Sequence, residues 1–374
     1  MSIPKIFTAQ GYDLEELKAL ATLFHITGAL DGVIKSSLLS EEDIEAILKT
    51  EITPQELNGK LQENYFRRIR GAGERQQIQS SPELKPHAET IRSIFQKLGY
   101  IDTVLPSKKE YDFAFIFGCA QEGLKGRIES FKKIQEGKLL PGATTPIKVD
   151  QVFILAGDRA LWPDSESIAL ELFAKRVDVD VEKIQEHVDT IFTKDVRDRN
   201  SSYEINQKRE EAIKSLQKTY QHCNDWWPTE ADMAQELAEK MLPGQTVIVV
   251  NAEGKNGKRP DTMDTVVKWN QRYGSFIKTR KTGFAVSNQP YIPEQLVALG
   301  LVDHSRCSCE VVGSGCDQNT VKPESLLVAF AGSFNRLFQR EIVRKAQFER
   351  ANTERRHGGN GVYNPNKPHL LMTM

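Results

Sequence analysis

A parallel α/β sheet is the fold this sequence predicts, and three observations predict it. Hydrophobic runs of strand length recur through the middle of the chain: Asp112–Phe117, Val152–Leu155, Thr246–Val250 and Phe284–Val286. Each ends in glycine or small polar residues: Gly118-Cys119, Ala156-Gly157-Asp158, Asn251-Ala252-Glu253-Gly254 and Ser287-Asn288-Gln289-Pro290. Each break is followed, sooner or later, by apolar residues at helical spacing. Strands that alternate with helices pair in parallel, and such sheets receive ligands at the carboxyl ends of their strands.

Before the first strand, residues 12–105 read as helical. Leu14, Leu17, Leu20, Ala21, Leu23 and Phe24 recur on one face. Ser40 caps a second helix with Asp43 three residues on, and Thr53-Pro54 opens a third, with proline at the first helical position. Residues 71–86 are polar and turn-rich, and His87–Leu98 is a further helix leading to the first strand. A helix over Gly126–Gln135, stopped by Gly137, joins the first two strands. The second and third strands lie about ninety residues apart, far more than one crossover needs.

Within that gap 160–228 reads as a helical insertion on the strand-end side of the sheet. Ser201-Ser202-Tyr203-Glu204 has a capping-box pattern, with Ile205, Ala212, Ile213, Leu216 and Tyr220 as an apolar stripe behind it. The insertion is a lid, a surface for a protein partner, or a structural embellishment. Pro290–Leu301 is a short helix, Ser308–Val312 a fifth strand ending in Gly313-Ser314-Gly315, and 324–350 a closing helix. The division expected is 1–107 helical, 108–350 α/β with its insertion, and 351–374 a flexible tail.

Composition narrows the function. A formal net charge of −1 gives no global attraction to nucleic acid or to an anionic membrane. No apolar run approaches the length of a bilayer span, and the first residues lack the basic and apolar regions of an export signal. Five cysteines, an odd and low number, suit reduced thiols in the cytoplasm. The partner expected is a small molecule, with no nucleic acid and no membrane.

The breaks carry the candidate chemistry. Gly118 lets a ligand approach the backbone, and the helix after it offers N–H groups to an anion. Cys119 is a strand-end thiol and a candidate nucleophile. Arg127, at the start of that helix, clamps a phosphate or carboxylate, or else pairs on the surface with Glu122 or Glu129. Neither a Gly-x-Gly-x-x-Gly fingerprint nor a P-loop is present, which argues against a classical dinucleotide or nucleoside-triphosphate site. Gly157 and Asp158 form the second break, with Arg159 supplying a base beside the acid. In the third, a polar loop leads to Asp261, which caps a helix carrying Thr262 and Thr265 three apart on one face, with Asp264 between them. The acids there cap the helix, or face a ribose hydroxyl, an amine or a metal. Gly313-Ser314-Gly315 is a weak phosphate cradle. Cys307-x-Cys309 with Cys316 invites a zinc reading, but strand alternation explains the first pair equally well.

In order, these breaks resemble the YdcF-like family, which includes SanA and ElyC. FIFGCAQEGLKGRIESFKKIQEGK supplies the strand-end Gly118 and the arginine, Arg127. Ala156-Gly157-Asp158 stands for a Ser-Gly-Gly turn, and Pro228-Thr229-Glu230-Ala231-Asp232-Met233 matches a Thr/Ser-Glu-Ala helix start. Thr262 holds the family's threonine, and Thr265 stands where asparagine is usual. Ser287, Asn288, Gln289 and Tyr291 follow the fourth strand, with Tyr291 and Glu294 where histidine and arginine are usual. The resemblance covers about 110–335, interrupted by 160–228.

It implies a Rossmann-like, mostly parallel α/β fold with a strand-end pocket for a nucleotide-like or S-adenosylmethionine-like ligand. Gly118, Gly157, Glu230, Thr262 and Ser287 would line that pocket, and Glu230 or Asp264 would act as general base or ribose contact. A transferase is the reaction class it favours over a hydrolase of phosphate-containing substrates. The alternative is a non-catalytic binding or interaction protein that works through 160–228.

Overall fold

The structure, a computed structural model, describes residues 14–28, 42, 54–65, 82–140, 145–193, 196, 202–220, 225–254, 260–274, 277, 279–302, 307–337 and 339. By contacts along the chain it divides into two compact units, one of Thr103–Ser314 with Arg68–Gln76, the other of Met1–Arg67, Gln77–Asp102 and Gly315–Met374.

The larger unit is an α/β domain. Its five strands are β1 (Glu110–Phe117), β2 (Lys148–Gly157), β3 (Val247–Ala252), β4 (Lys281–Asn288) and β5 (Cys307–Ser314), in the order β3-β2-β1-β4-β5. Every pairing is parallel. The chain builds outward from β1 through β2 to β3, then returns to the other side of β1 for β4 and β5. This is the Rossmann-like arrangement, and its reversal point lies between the carboxyl ends of β1 and β4.

Both faces of the sheet are covered, so its strands are apolar in continuous runs. On one face Ala114, Ile116, Val152, Ile154, Phe284 and Val286 join a buried cluster with α4 (Gln121–Gln135) and α8 (Glu230–Met241). On the other, Phe113, Phe115 and Phe153 surround Trp269 of α9 (Thr262–Tyr273), with the Phe115 and Trp269 rings edge to face at 4.8 Å. The short α10 (Ile292–Leu299) follows β4.

The insertion is helical, as its periodicity predicts: α5 (Ser167–Val177), α6 (Val181–Ile191) and α7 (Ser202–Thr219). Its two ends meet, since Leu161 N–H donates to Pro228 O at 2.9 Å and Glu230 N–H to Arg159 O at 2.8 Å. Phe173, Ile184, Val188, Ala212, Leu216 and Trp227 lie in the same buried cluster as β1 and β2. These inner faces of the insertion are part of the domain core.

The second unit is helical: α1 (Leu14–Ile26), α2 (Pro54–Tyr65), a 3-10 turn (Pro82–His87), α3 (Ala88–Lys97) and α11, residues 323–337. Pro54 is the first residue of α2, where its missing N–H costs nothing. Phe330 of α11 packs against Phe24, Phe95 and Tyr100. The closing helix therefore belongs with the N-terminal helices and not with the α/β domain, which ends at Ser314 rather than near 350. The Ser40 and Ser201 caps and the 351–374 tail lie outside the described residues.

Candidate functional site

The helix after β1 starts at Gln121, five residues earlier than its apolar spacing predicts. Arg127 is thus on the second turn, and its side chain turns back over the strand ends. Its Nη1 donates to Phe117 O at 2.7 Å and Gly118 O at 3.2 Å, and its Nε to Asn288 Oδ1 at 3.4 Å. The guanidinium is buried, so pairing with Glu122 or Glu129 does not occur; Glu122 pairs with Lys125 instead. Arg127 ties the ends of β1 and β4 together across the reversal point.

Gly118 needs to be glycine, but the group that approaches it belongs to the chain. A Cβ there would lie 2.2 Å from Glu230 Oε1, 2.8 Å from Leu155 O and 3.0 Å from Ala156 Cα. Gly157 is approached in the same way, by Pro260 Cγ at 2.6 Å. The space expected for a ligand at these two backbones is thus taken up by Glu230 and Pro260.

Glu230 is the first residue of α8 and is positioned by a capping box. Thr229 Oγ1 accepts Asp232 N–H at 3.4 Å, and Asp232 Oδ2 accepts Thr229 N–H at 2.8 Å. The Glu230 carboxylate is 7% exposed and takes Arg159 Nε at 3.3 Å on Oε2. Arg159 is buried as well and forks onto Glu166, with Nη1–Oε2 and Nη2–Oε1 both 2.7 Å. Burial alone would lower the Arg159 pKa, but the two carboxylates outweigh it and hold the guanidinium above its ordinary value. Trp162 lies against the guanidinium of Arg159, 4.8 Å from ring centroid to Cζ, and against that of Arg209 at 4.1 Å. Arg209 forks onto Asp164 at 2.7 and 2.9 Å.

Cys119 is half-buried beside this network. Burial pushes its thiol pKa up, and Glu230 and Glu166 add to that against Arg127 and Arg159. It is held as the thiol, which does not suit the expected nucleophile.

The third break is a second capping box: Asp261 Oδ1 accepts Asp264 N–H and Asp264 Oδ2 accepts Asp261 N–H, both at 3.0 Å. Thr265 is buried and its hydroxyl donates to Thr262 O at 2.8 Å. Asp158 is exposed and its carboxylate takes Gly254 N–H at 3.1 Å. Ser287 is buried on the α9 side of β4, Asn288 is half-buried, and Gln289 N–H donates to Ser314 O at 3.0 Å. Tyr291 N–H closes a turn onto Asn288 O at 2.9 Å before α10.

The geometry therefore gathers Gly118, Cys119, Arg127, Glu230 and Asn288 at one place. Asp158, Asp261, Thr262, Asp264 and Thr265 belong to the ends of β2 and β3 and the start of α9. Gly313 offers no phosphate cradle: its N–H and C=O pair with Val104 at 2.9 and 3.0 Å, and a Cβ there would sit 1.9 Å from Ser287 O. Among the described residues no group of three or more His, Cys, Asp or Glu is placed to hold a metal ion. Glu166 and Trp162 were not legible as site residues; the nearest signal was Arg159 beside Gly157.

Against family models, curated proteins and solved structures, the chain matches none.

Proposed function

We propose that the α/β domain binds a small molecule at the carboxyl ends of β1 and β4, of the nucleotide-like or S-adenosylmethionine-like class, and transfers a group from it. The observation that carries this reading is the convergence of Arg127, Glu230 and Asn288 on Gly118 and Cys119 at the reversal point of the sheet. Open α/β sheets take their ligands at that point. Gly118, Cys119, Ala120 and Asn288 are half-buried, so they present surface to a ligand above the buried Glu230. A carboxylate in that position accepts hydrogen bonds from ribose hydroxyls or an amine, or takes a proton from a nucleophile. The resemblance to the YdcF-like family supports transfer over hydrolysis.

The test is a thermal-shift screen against S-adenosylmethionine, its demethylated product, adenine nucleotides and nucleotide sugars. A ligand at 100 times its dissociation constant raises native-state stability by about 2.7 kcal/mol. The expected result is a shift with at least one compound that Glu230→Gln abolishes. No shift across the panel would overturn the reading, and a shift that survives Glu230→Gln would move the site elsewhere.

A further inference from the structure

In a βαβ unit the amino terminus of the first crossover helix is where an anion is received, because its free N–H groups and the helix dipole both favour negative charge. In this chain that place is taken. Glu166, 2% exposed, directs Oε1 at Gln121 N–H of α4 at 3.2 Å. The same oxygen accepts Arg159 Nη2 at 2.7 Å, while Oε2 accepts Arg159 Nη1 at 2.7 Å and Trp162 N–H at 2.8 Å. Four donors thus meet both carboxylate oxygens in a buried setting. The planar fork of Arg159 matches a carboxylate and a phosphate equally. Gln121 returns the contact: its Oε1 accepts Ile168 N–H at 3.0 Å at the start of α5, and its Nε2 donates to Ser167 Oγ at 3.1 Å. The two helices cap each other through these side chains.

We propose that Arg159, Gln121 N–H and Trp162 N–H form an oxyanion site which the chain occupies with its own Glu166 carboxylate. No phosphate or substrate carboxylate enters there. An incoming anion would have to eject Glu166 and strand its charge, and it would meet Glu230, whose carboxylate shares Arg159 at 3.3 Å. The consequence for function rests on the strand-end reading above. The ligand has no phosphate at the α4 terminus and turns hydrogen-bond donors or positive charge toward Glu230.

The test uses the full chain and two simple probes, sodium acetate and inorganic phosphate, each titrated against chloride at constant ionic strength. Glu166→Ala is expected to melt below wild type and to regain much of the loss, saturably, with acetate or phosphate, while wild type shows no saturable response. An equal response in both proteins, or none in the variant, would overturn the proposal. If Glu166→Ala does not fold, Glu166→Gln keeps the side-chain volume and removes the charge. It is expected to melt below wild type and, with the site still filled, to show no acetate response; a wild-type melting temperature would overturn the proposal. These outcomes do not depend on any compound of the nucleotide and S-adenosylmethionine panel, so a blank in that screen and a failure of the oxyanion site are distinguishable.

Discussion

Gly118 and Gly126 lie eight residues apart and have opposite requirements. A Cβ at Gly118 meets the backbone of β2 and the Glu230 carboxylate, and the backbone cannot yield. Gly118→Ala is therefore expected to destabilise the protein by about 1–3 kcal/mol, the usual cost of overpacking, measured by urea denaturation. A Cβ at Gly126, in mid-helix, meets nothing within 4 Å. Gly126→Ala is expected to stabilise by about 0.5–1 kcal/mol in the same assay. Similar losses from both would mean that the close approach at Gly118 is not what demands glycine. At the start of β1, Tyr111 donates to Glu310, and burial together with that carboxylate pushes its pKa up to about 12. A phenol with a raised folded-state pKa contributes stability that is fully present below the unfolded value of about 10. That stability is lost as pH rises from there to about 12. Wild type should lose melting temperature more steeply than Tyr111→Phe across this window. Parallel curves would contradict the assignment.

At the scale of elements, helix starts place the functional side chains. Thr229 and Asp232 satisfy each other's N–H groups, and Glu230 sits between them. Thr229→Ala is expected to cost about 1 kcal/mol, as loss of a helix cap does, and to weaken any ligand shift that depends on Glu230. A stability loss with ligand binding intact would separate the cap from the site. The same logic applies to Asp261 and Asp264, whose reciprocal bonds account for both carboxylates as caps of α9. In the sequence the start at Thr229 is implied by the family resemblance and the start at Asp261 by its cap residue, whereas α4 is placed by apolar periodicity, a local property. Periodicity placed the start of α4 five residues late because Gln121 and Glu122 are polar. What holds that first turn is the carboxylate of Glu166, which lies 45 residues away.

At the scale of the whole molecule, the chain forms two units with separate cores. Ile154 is fully buried in the cluster around β1 and β2, and Leu23 is buried in α1 of the helical unit. Ile154→Ala and Leu23→Ala should each cost about 2–5 kcal/mol to the unit that contains it. Hydrogen exchange is expected to show loss of protection confined to 103–314 for the first. For the second it should be confined to the helices of 14–98 and to 323–337. Protection lost evenly over the chain in either variant would show one cooperative body in place of two. No helix among the described residues is long and apolar enough to cross a membrane.

The sequence by itself determined the five strands, their alternation with helices, the parallel fold class and the helical insertion. Each of these is written in neighbouring residues: β-branched and aromatic runs, the glycines that end them and the spacing of apolar side chains. It also marked Gly118, Arg127 and Asn288, because chemistry in a parallel sheet collects where strands stop, whereas Glu230 was marked by the family resemblance alone. Only the tertiary structure decided what those residues face. Arg159 and its partner Glu230 are separated by 71 residues, and Arg127 and its partner Asn288 by 161, distances over which composition and period carry no information. Buried charges must be paired, and the partner is chosen by which side chains packing brings together. For the same reason the closing helix joined the N-terminal unit: Phe330 follows its aromatic neighbours Phe24, Phe95 and Tyr100, not its neighbours in sequence.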